Sequence, residues 1–189
     1  MKILIATPLY PPEIGGPAPY TKELARRLAK KHEVKILTYS LIPEHVENVE
    51  IVTVNKQLPK LIRLAKYTKK LLKYSRNADI VYAENGTSVE LPIVFLSLLS
   101  DKAFVIHLGD KMVLENIKKR FYPKLIYRIV TKKACELIEE SPKNRPEISP
   151  FSDFPKKEMG EYNDSWSKHI NLLLSIFKIC IENRKKKSR

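Results

Sequence analysis

Glycine is scarce in this chain: five residues in 189, at Gly15, Gly16, Gly86, Gly109 and Gly160. That rules out a dinucleotide-binding G-x-G-x-x-G turn and a Walker loop, which both place several glycines at fixed spacing where the backbone closes on a phosphate. The two cysteines, Cys135 and Cys180, are too few and too far apart in sequence for a disulfide framework or a four-ligand zinc site. They read as small apolar residues suited to a reducing compartment. Long apolar runs are missing too. A membrane span takes ~20 residues, and the longest run, Leu91 to Leu99, is about half of that. Met1 to Ala6 begins like a signal peptide, but Pro8, Pro11, Pro12 and Glu13 end the stretch without a small-residue cleavage site. Secreted, transmembrane, collagenous and zinc-finger proteins are excluded on these grounds, and a cytoplasmic protein is expected.

Acidic residues are also short, 21 against 35 Lys and Arg, for a net charge of +14. The excess is concentrated. From Gln57 to Asn77 there is no acid but seven bases: Lys60, Arg63, Lys66, Lys69, Lys70, Lys73 and Arg76. The tail adds Arg184, Lys185, Lys186, Lys187 and Arg189. The rest is nearly neutral, so an anionic partner, phospholipid or nucleic acid, is expected at these two features. With 43% hydrophobic and 30% charged residues, the chain has the composition of a folded globular protein.

Periodicity predicts alternating strands and helices. Lys2–Thr7, Val34–Thr38, Val49–Val54, Asp79–Ala83 and Ala103–His107 read as strands. Between them lie helices. The first starts near Pro19 and carries the stripe Tyr20, Leu24, Ala25 and Leu28; the second runs from about Leu58 to Ser75, and the third covers Val89–Ser100. From Met112 to Ile138 the pattern is mostly helical, with a break at Pro123. Such alternation predicts an α/β fold, a Rossmann-like doubly wound parallel sheet, with the loops after strands one, four and five on the edge where ligands bind. Ser141 to Asp164 holds Pro142, Pro146, Pro150 and Pro155 and reads as an irregular connection. After it, Trp166, Ile170, Leu173, Phe177 and Ile181 line one face of a docking helix, with Asp164 or Ser165 as its cap.

The loop Pro11-Pro12-Glu13-Ile14-Gly15-Gly16 joins strand one to helix one. It suits either a phosphate, which the helix N-terminus would attract, or a plain Pro/Gly turn. With Leu24-Ala25-Arg26-Arg27-Leu28 and His32-Glu33-Val34 after it, the stretch Thr7–Thr38 resembles the amino-terminal half of glycosyltransferase family 4. A second segment is similar to the acceptor-side crevice of that family: Ala78-Asp79-Ile80-Val81-Tyr82-Ala83-Glu84-Asn85-Gly86, then Leu91-Pro92, then Lys102 to Asp110. Together the two cover residues 1–140.

The resemblance implies half of a GT-B fold, a domain over 1–140, a connection over 141–164, a return helix over 165–183 and a basic tail over 184–189. It further implies a retaining hexosyl transfer from a nucleotide-sugar to a glycan or lipid-linked acceptor. No metal or bound cofactor is implied, the nucleotide-sugar being a co-substrate. Carried over by position, Gly15 and Gly16 would approach the donor phosphates, and His107 and Asp110 would be catalytic. Tyr20, Glu84 and Asn85 would line the acceptor side. Each has a structural alternative: His107 as the end of a strand, Asp110 as the cap of a helix. A second Rossmann domain would need its own glycine loops, and after Gly109 only Gly160 remains. A donor-binding half supplied by a separate protein is therefore expected.

Lys60, Arg63, Lys66, Lys69, Lys70 and Lys73 lie on a helix whose Leu61, Leu64, Ala65, Leu71 and Leu72 share one side. Either that apolar side packs on the sheet and the lysines are solvated, or the helix meets an anionic membrane surface at the inner face of the membrane. A non-catalytic membrane- or glycan-binding protein on the same scaffold thus remains open, as does a basic nucleic-acid-binding protein. No recognition motif with interleaved aromatics supports the last.

Overall fold

Six parallel strands form one sheet in the order β3-β2-β1-β4-β5-β6. The structure, a computed structural model, describes residues 1–15, 17–84, 87–108, 129, 133–139 and 156–187. The strands are β1 (Lys2–Ala6), β2 (Glu33–Tyr39), β3 (Val49–Val54), β4 (Ile80–Glu84), β5 (Phe104–Leu108) and β6 (Glu136–Glu139). The helices are α1 (Pro17–Leu28), α2 (Lys60–Ser75), α3 (Thr87–Leu99) and α4 (Lys156–Lys187). Strand order reverses between β1 and β4, which is the topological switch point of a Rossmann-like sheet.

Alternation along each strand divides the core in two. Ile3, Ile5, Ile36, Ile80, Tyr82 and Val105 face α1 and α4, which supply Tyr20, Leu24, Leu28, Trp166, Leu173 and Phe177. Leu4, Ala6, Leu37, Val81, Ala83 and Phe104 face α2 and α3, which supply Tyr67, Leu71, Val89 and Ile93. The stripe expected on α1 is buried throughout, and Trp166, Leu173 and Phe177 of α4 are buried as expected.

The sequence reading needs correction in two places. Residues 136–139 are a strand, paired with β5 from Val105–Glu136 to Leu108–Glu139, where the pattern suggested helix. Four residues are too few for periodicity to separate the two, and pairing with a buried neighbour decides. The last helix, expected over 165–183, runs Lys156–Lys187. It takes in 156–164 of the expected connection and 184–187 of the expected tail. Pro155 is the last proline of the chain, so nothing after it interrupts a helix. Cys135 and Cys180, distant in sequence, meet in space, with the Cys135 Sγ 3.9 Å from the Cys180 carbonyl and both thiols free.

α3 contains Pro92 in its interior. A proline there lacks the N–H that would bond the carbonyl four residues back, here Ser88. The Tyr39 hydroxyl of β2 donates to that carbonyl instead, at 2.9 Å. Tyr39 in turn stacks on Tyr67 of α2, with ring centroids 4.4 Å apart.

Tyr39→Phe should therefore cost about 1–2 kcal/mol, the penalty for stranding a partly buried carbonyl. In a Pro92→Ala background the restored N–H serves Ser88, and the same Tyr39→Phe change should cost little. A double-mutant cycle by urea denaturation measures this, and equal costs in both backgrounds would rule the substitution mechanism out.

Candidate functional site

In sheets of this topology the crevice lies at the carboxyl ends of the strands beside the switch point. Here that edge is formed by Thr7, one residue beyond the Ala6–Ala83 pair, and by Glu84, which is in register with His107. The two segments that carry the family resemblance, 7–38 and 78–110, are adjacent at this edge.

The loop after β1 is tied down along its length. The Thr7 hydroxyl donates to the Leu9 carbonyl at 2.8 Å, and the Glu13 N–H donates to the Tyr10 carbonyl at 3.0 Å. Lys56 pairs with Glu13, and the Glu44 N–H donates to the Pro11 carbonyl at 3.0 Å. A Cβ on Gly15 would come within 2.7 Å of the Leu9 Cδ1, the mobile end of a side chain that can shift to make room.

The phosphate role expected of this loop finds little support in its described part. Pro17 and Pro19 in the first turn of α1 carry no N–H, and the Ala18 N–H is given to the Gly15 carbonyl at 3.0 Å. An anion needs free N–H groups at that terminus. Of the other expected site residues, Gly16, Asn85 and Asp110 lie outside the described residues.

Glu84, His107 and Tyr20 do come together. Glu84 and His107 close β4 and β5 on the α1/α4 side of the sheet, and the His107 Nδ1 is 2.9 Å from the Glu84 Oε2. The Tyr20 ring stacks on His107 at 5.4 Å between centroids, and Tyr82 flanks the imidazole at 5.9 Å. The Tyr20 hydroxyl lies 3.1 Å from the Tyr82 hydroxyl and 2.7 Å from the His169 Nε2. Trp166 stacks on Tyr20 at 5.6 Å, with the Arg27 guanidinium 5.2 Å from the Trp166 ring centroid. Arg27 also donates to the Asn163 Oδ1 at 2.7 Å and pairs with Glu23. Burial alone would raise the Glu23 carboxyl, but hydrogen bonds and charge from Arg26 and Arg27 outweigh it and hold it below its ordinary value.

His107 is 0% exposed and Glu84 is 3% exposed. Neither side chain has surface at the crevice in this conformation, and the Glu84 carboxylate is what ties the imidazole to the strand end. With Nδ1–H given to Glu84, the basic nitrogen of His107 is Nε2. The other carboxylate oxygen, Glu84 Oε1, is buried and has no hydrogen-bond partner among the described residues. Leaving such an acceptor unmet is costly in a folded protein. Tyr82, His169, Trp166 and Arg27 were not expected from sequence. Trp166 and His169 stand three apart on the inward side of α4, and that spacing beside Phe177 was the available signal.

The cations of α2 lie on the other face of the sheet, away from this cluster. Lys69 and Lys73 border a groove between α2 and α3, while Lys60 and Lys66 are exposed. Arg63 and Lys70 are turned inward, donating to the carbonyls of Lys56 at 2.8 Å and Thr53 at 2.6 Å. Among the described residues no group of three His, Cys, Asp or Glu could hold a metal ion, and no helix is long and apolar enough to cross a membrane.

No protein-family model matches the chain, and no curated protein does. Among solved structures it is similar to the C-terminal domain of the coenzyme A biosynthesis bifunctional protein CoaBC, with 12% identity and a TM-score of 0.49, covering 92% of this chain and 96% of that one. It is also similar to an alpha-glucosyltransferase in complex with UDP and a 13-mer DNA containing a central A:G mismatch (14% identity, TM-score 0.44, 75% of this chain and 40% of that one). A third is a DNA/pantothenate metabolism flavoprotein from Streptococcus pneumoniae (13% identity, TM-score 0.29, 87% and 66%). The chain thus spans less than half of the glucosyltransferase. Likeness at this level assigns no family, glycosyltransferase family 4 included, and no activity. The Rossmann-like fold itself is stated by the sheet.

Burial and the Glu44 charge hold the Tyr10 phenol well above its ordinary value, and burial does the same for Tyr39 and Tyr67. An unfolded tyrosine ionises at pH ~10. The folded state therefore keeps protons that the unfolded chain loses. The stability involved is complete below pH ~10 and is lost as pH rises towards the folded-state values. Phenolate absorbance and circular dichroism recorded together should show these tyrosines ionising as the protein unfolds; ionisation within an intact fold would contradict this reading.

Proposed function

We propose that the chain is the acceptor-side domain of a glycosyltransferase, holding a saccharide at the edge of β1 and β4 with Glu84 as the contact residue. The observation that carries this reading is the buried, unpartnered Oε1 of Glu84 at the switch point. Once the Glu84 side chain turns out to the crevice edge, a sugar hydroxyl is a donor of the right kind for this oxygen, and a charge-assisted hydrogen bond there meets the acceptor. His107 is a positioning residue, holding the other oxygen of the same carboxylate at 2.9 Å. The resemblance over 7–38 and 78–110 supplies the reaction class, transfer of a hexosyl group from a nucleotide-sugar to the bound acceptor with retention. In that step the acceptor oxygen bonds the anomeric carbon as the bond to the diphosphate breaks, and the proton of the acceptor hydroxyl passes to an oxygen of the departing diphosphate. No residue is assigned to the diphosphate.

A second reading, a glycan-binding domain without catalysis, is favoured by the two prolines in the first turn of α1, which deny a diphosphate the N–H groups it would need. The same experiment addresses both. The full chain is titrated with neutral and anionic mono- to tetrasaccharides, followed by amide chemical shifts. Binding should perturb residues 7–15 and 84, and Glu84→Gln should weaken it at least about ten-fold, or ~1.4 kcal/mol, without lowering the melting temperature. Unchanged affinity in Glu84→Gln, or shifts confined to α2, would sink the assignment. Release of nucleotide diphosphate from a nucleotide-hexose in the presence of the bound saccharide then separates transfer from binding alone.

A further inference from the structure

α2 has two apolar sides. Tyr67, Leu71 and Ser75 face the sheet, and the Tyr67 hydroxyl donates to the Leu37 carbonyl at 3.1 Å, which fixes the rotation of the helix. Of the stripe that the sequence pattern pointed to, Leu71 alone faces the sheet, and Leu61, Leu64, Ala65 and Leu72 are turned off it. Leu61 is 79% exposed, and Leu64, Ala65 and Leu72 line an open groove with Leu91 and Phe95 of α3. The groove encloses about 880 Å³. Beyond it Ile62, Leu98 and Leu99 are exposed as well, so apolar side chains spread across both helices. Soluble surfaces seldom keep so broad an apolar area without a use for it.

The border of this area is basic. Lys69, Lys73 and Arg76 edge the groove and Lys66 stands beside it. α2 carries no acid from Lys60 to Ser75. None of the four cations has a carboxylate partner among the described residues.

We propose that the α2/α3 face docks the protein on an anionic phospholipid bilayer, with Leu61, Phe95 and Leu98 entering the interface and Lys66, Lys69, Lys73 and Arg76 among the headgroups. Charge complementarity selects the occupant. A second copy would bring like charges together, on a chain already at +14. A partner helix would look for directional polar groups, but the hydroxyl of Thr68, the one polar uncharged side chain in the groove lining, is already given to the Leu64 carbonyl at 2.9 Å. Lysines on flexible stems over an apolar strip suit the diffuse field and soft interior of a bilayer surface. This inference is independent of the saccharide site, which uses the Glu84 edge.

The test is co-sedimentation of the full chain with vesicles of phosphatidylcholine alone and of phosphatidylcholine with about 30% phosphatidylglycerol, a content at which anionic lipid attracts cationic segments. Binding should require the anionic lipid and fall steeply with salt. Lys69→Gln with Lys73→Gln should lower the partition coefficient about thirty-fold, each cation contributing a factor of about five. Leu61→Ser and Phe95→Ser, at exposed positions, should also weaken binding while the melting temperature holds. Neutralising Lys185, Lys186 and Lys187 instead should leave most of the binding in place. Equal binding to neutral vesicles, or no binding at all, overturns the proposal. So does binding lost with the tail lysines and kept by the Lys69/Lys73 variant, or a dimer in sedimentation equilibrium that the α2/α3 variants disrupt.

Discussion

The contact between the Tyr20 ring and the His107 imidazole, together with the hydrogen bonds of the Tyr20 hydroxyl to Tyr82 and His169, ties α1, β4, β5 and α4 to one another. A tyrosine can be buried here only because its polar end is met on arrival. Trp166 and Arg27 extend the stack outward, and Glu84 extends it towards the carboxyl edge of the sheet. The candidate site is the inner end of this arrangement. Its geometry is inherited from the packing of a long helix that begins only after the last proline of the chain.

The two faces of the sheet are finished differently. On the α1/α4 side aromatic rings fill the space, and the Tyr20 hydroxyl is paired within it. On the α2/α3 side the helices cover the sheet but do not close over each other, leaving Phe95 and Leu61 in the open. One face thus presents a chemical feature at its edge, and the other presents a physical surface along its length.

Much of the architecture was legible in the residues. Five strands, four helices and the parallel order follow from apolar runs alternating with helical stripes, because sequence period and burial have the same cause. The burial of Tyr20, Leu24, Ala25 and Leu28 was read from spacing alone. β6 was not legible, since four residues paired at an edge leave no period to detect. Nor was the rotation of α2: the apolar side read from the sequence leaves Tyr67 out, and only a partner for its hydroxyl allows it to face inward. At the site, the register of strands four and five placed Glu84 beside His107. The His169 and Trp166 contributions come from a segment more than eighty residues distant from Tyr82, and no local pattern announces such a meeting.

The Lys70 bond to Thr53 also bears on how the sheet ends. The Val54 carbonyl faces β2, where it accepts from the Ser40 N–H, so the Thr53 carbonyl points outward along the free side of β3. Lys70 occupies that acceptor. At the opposite margin β6 is only four residues long. A strand from another molecule would meet a cation already in place at the β3 border. That border is blunted by a side chain of the protein itself, which works against assembly through the backbone of β3 in a chain with exposed apolar helices.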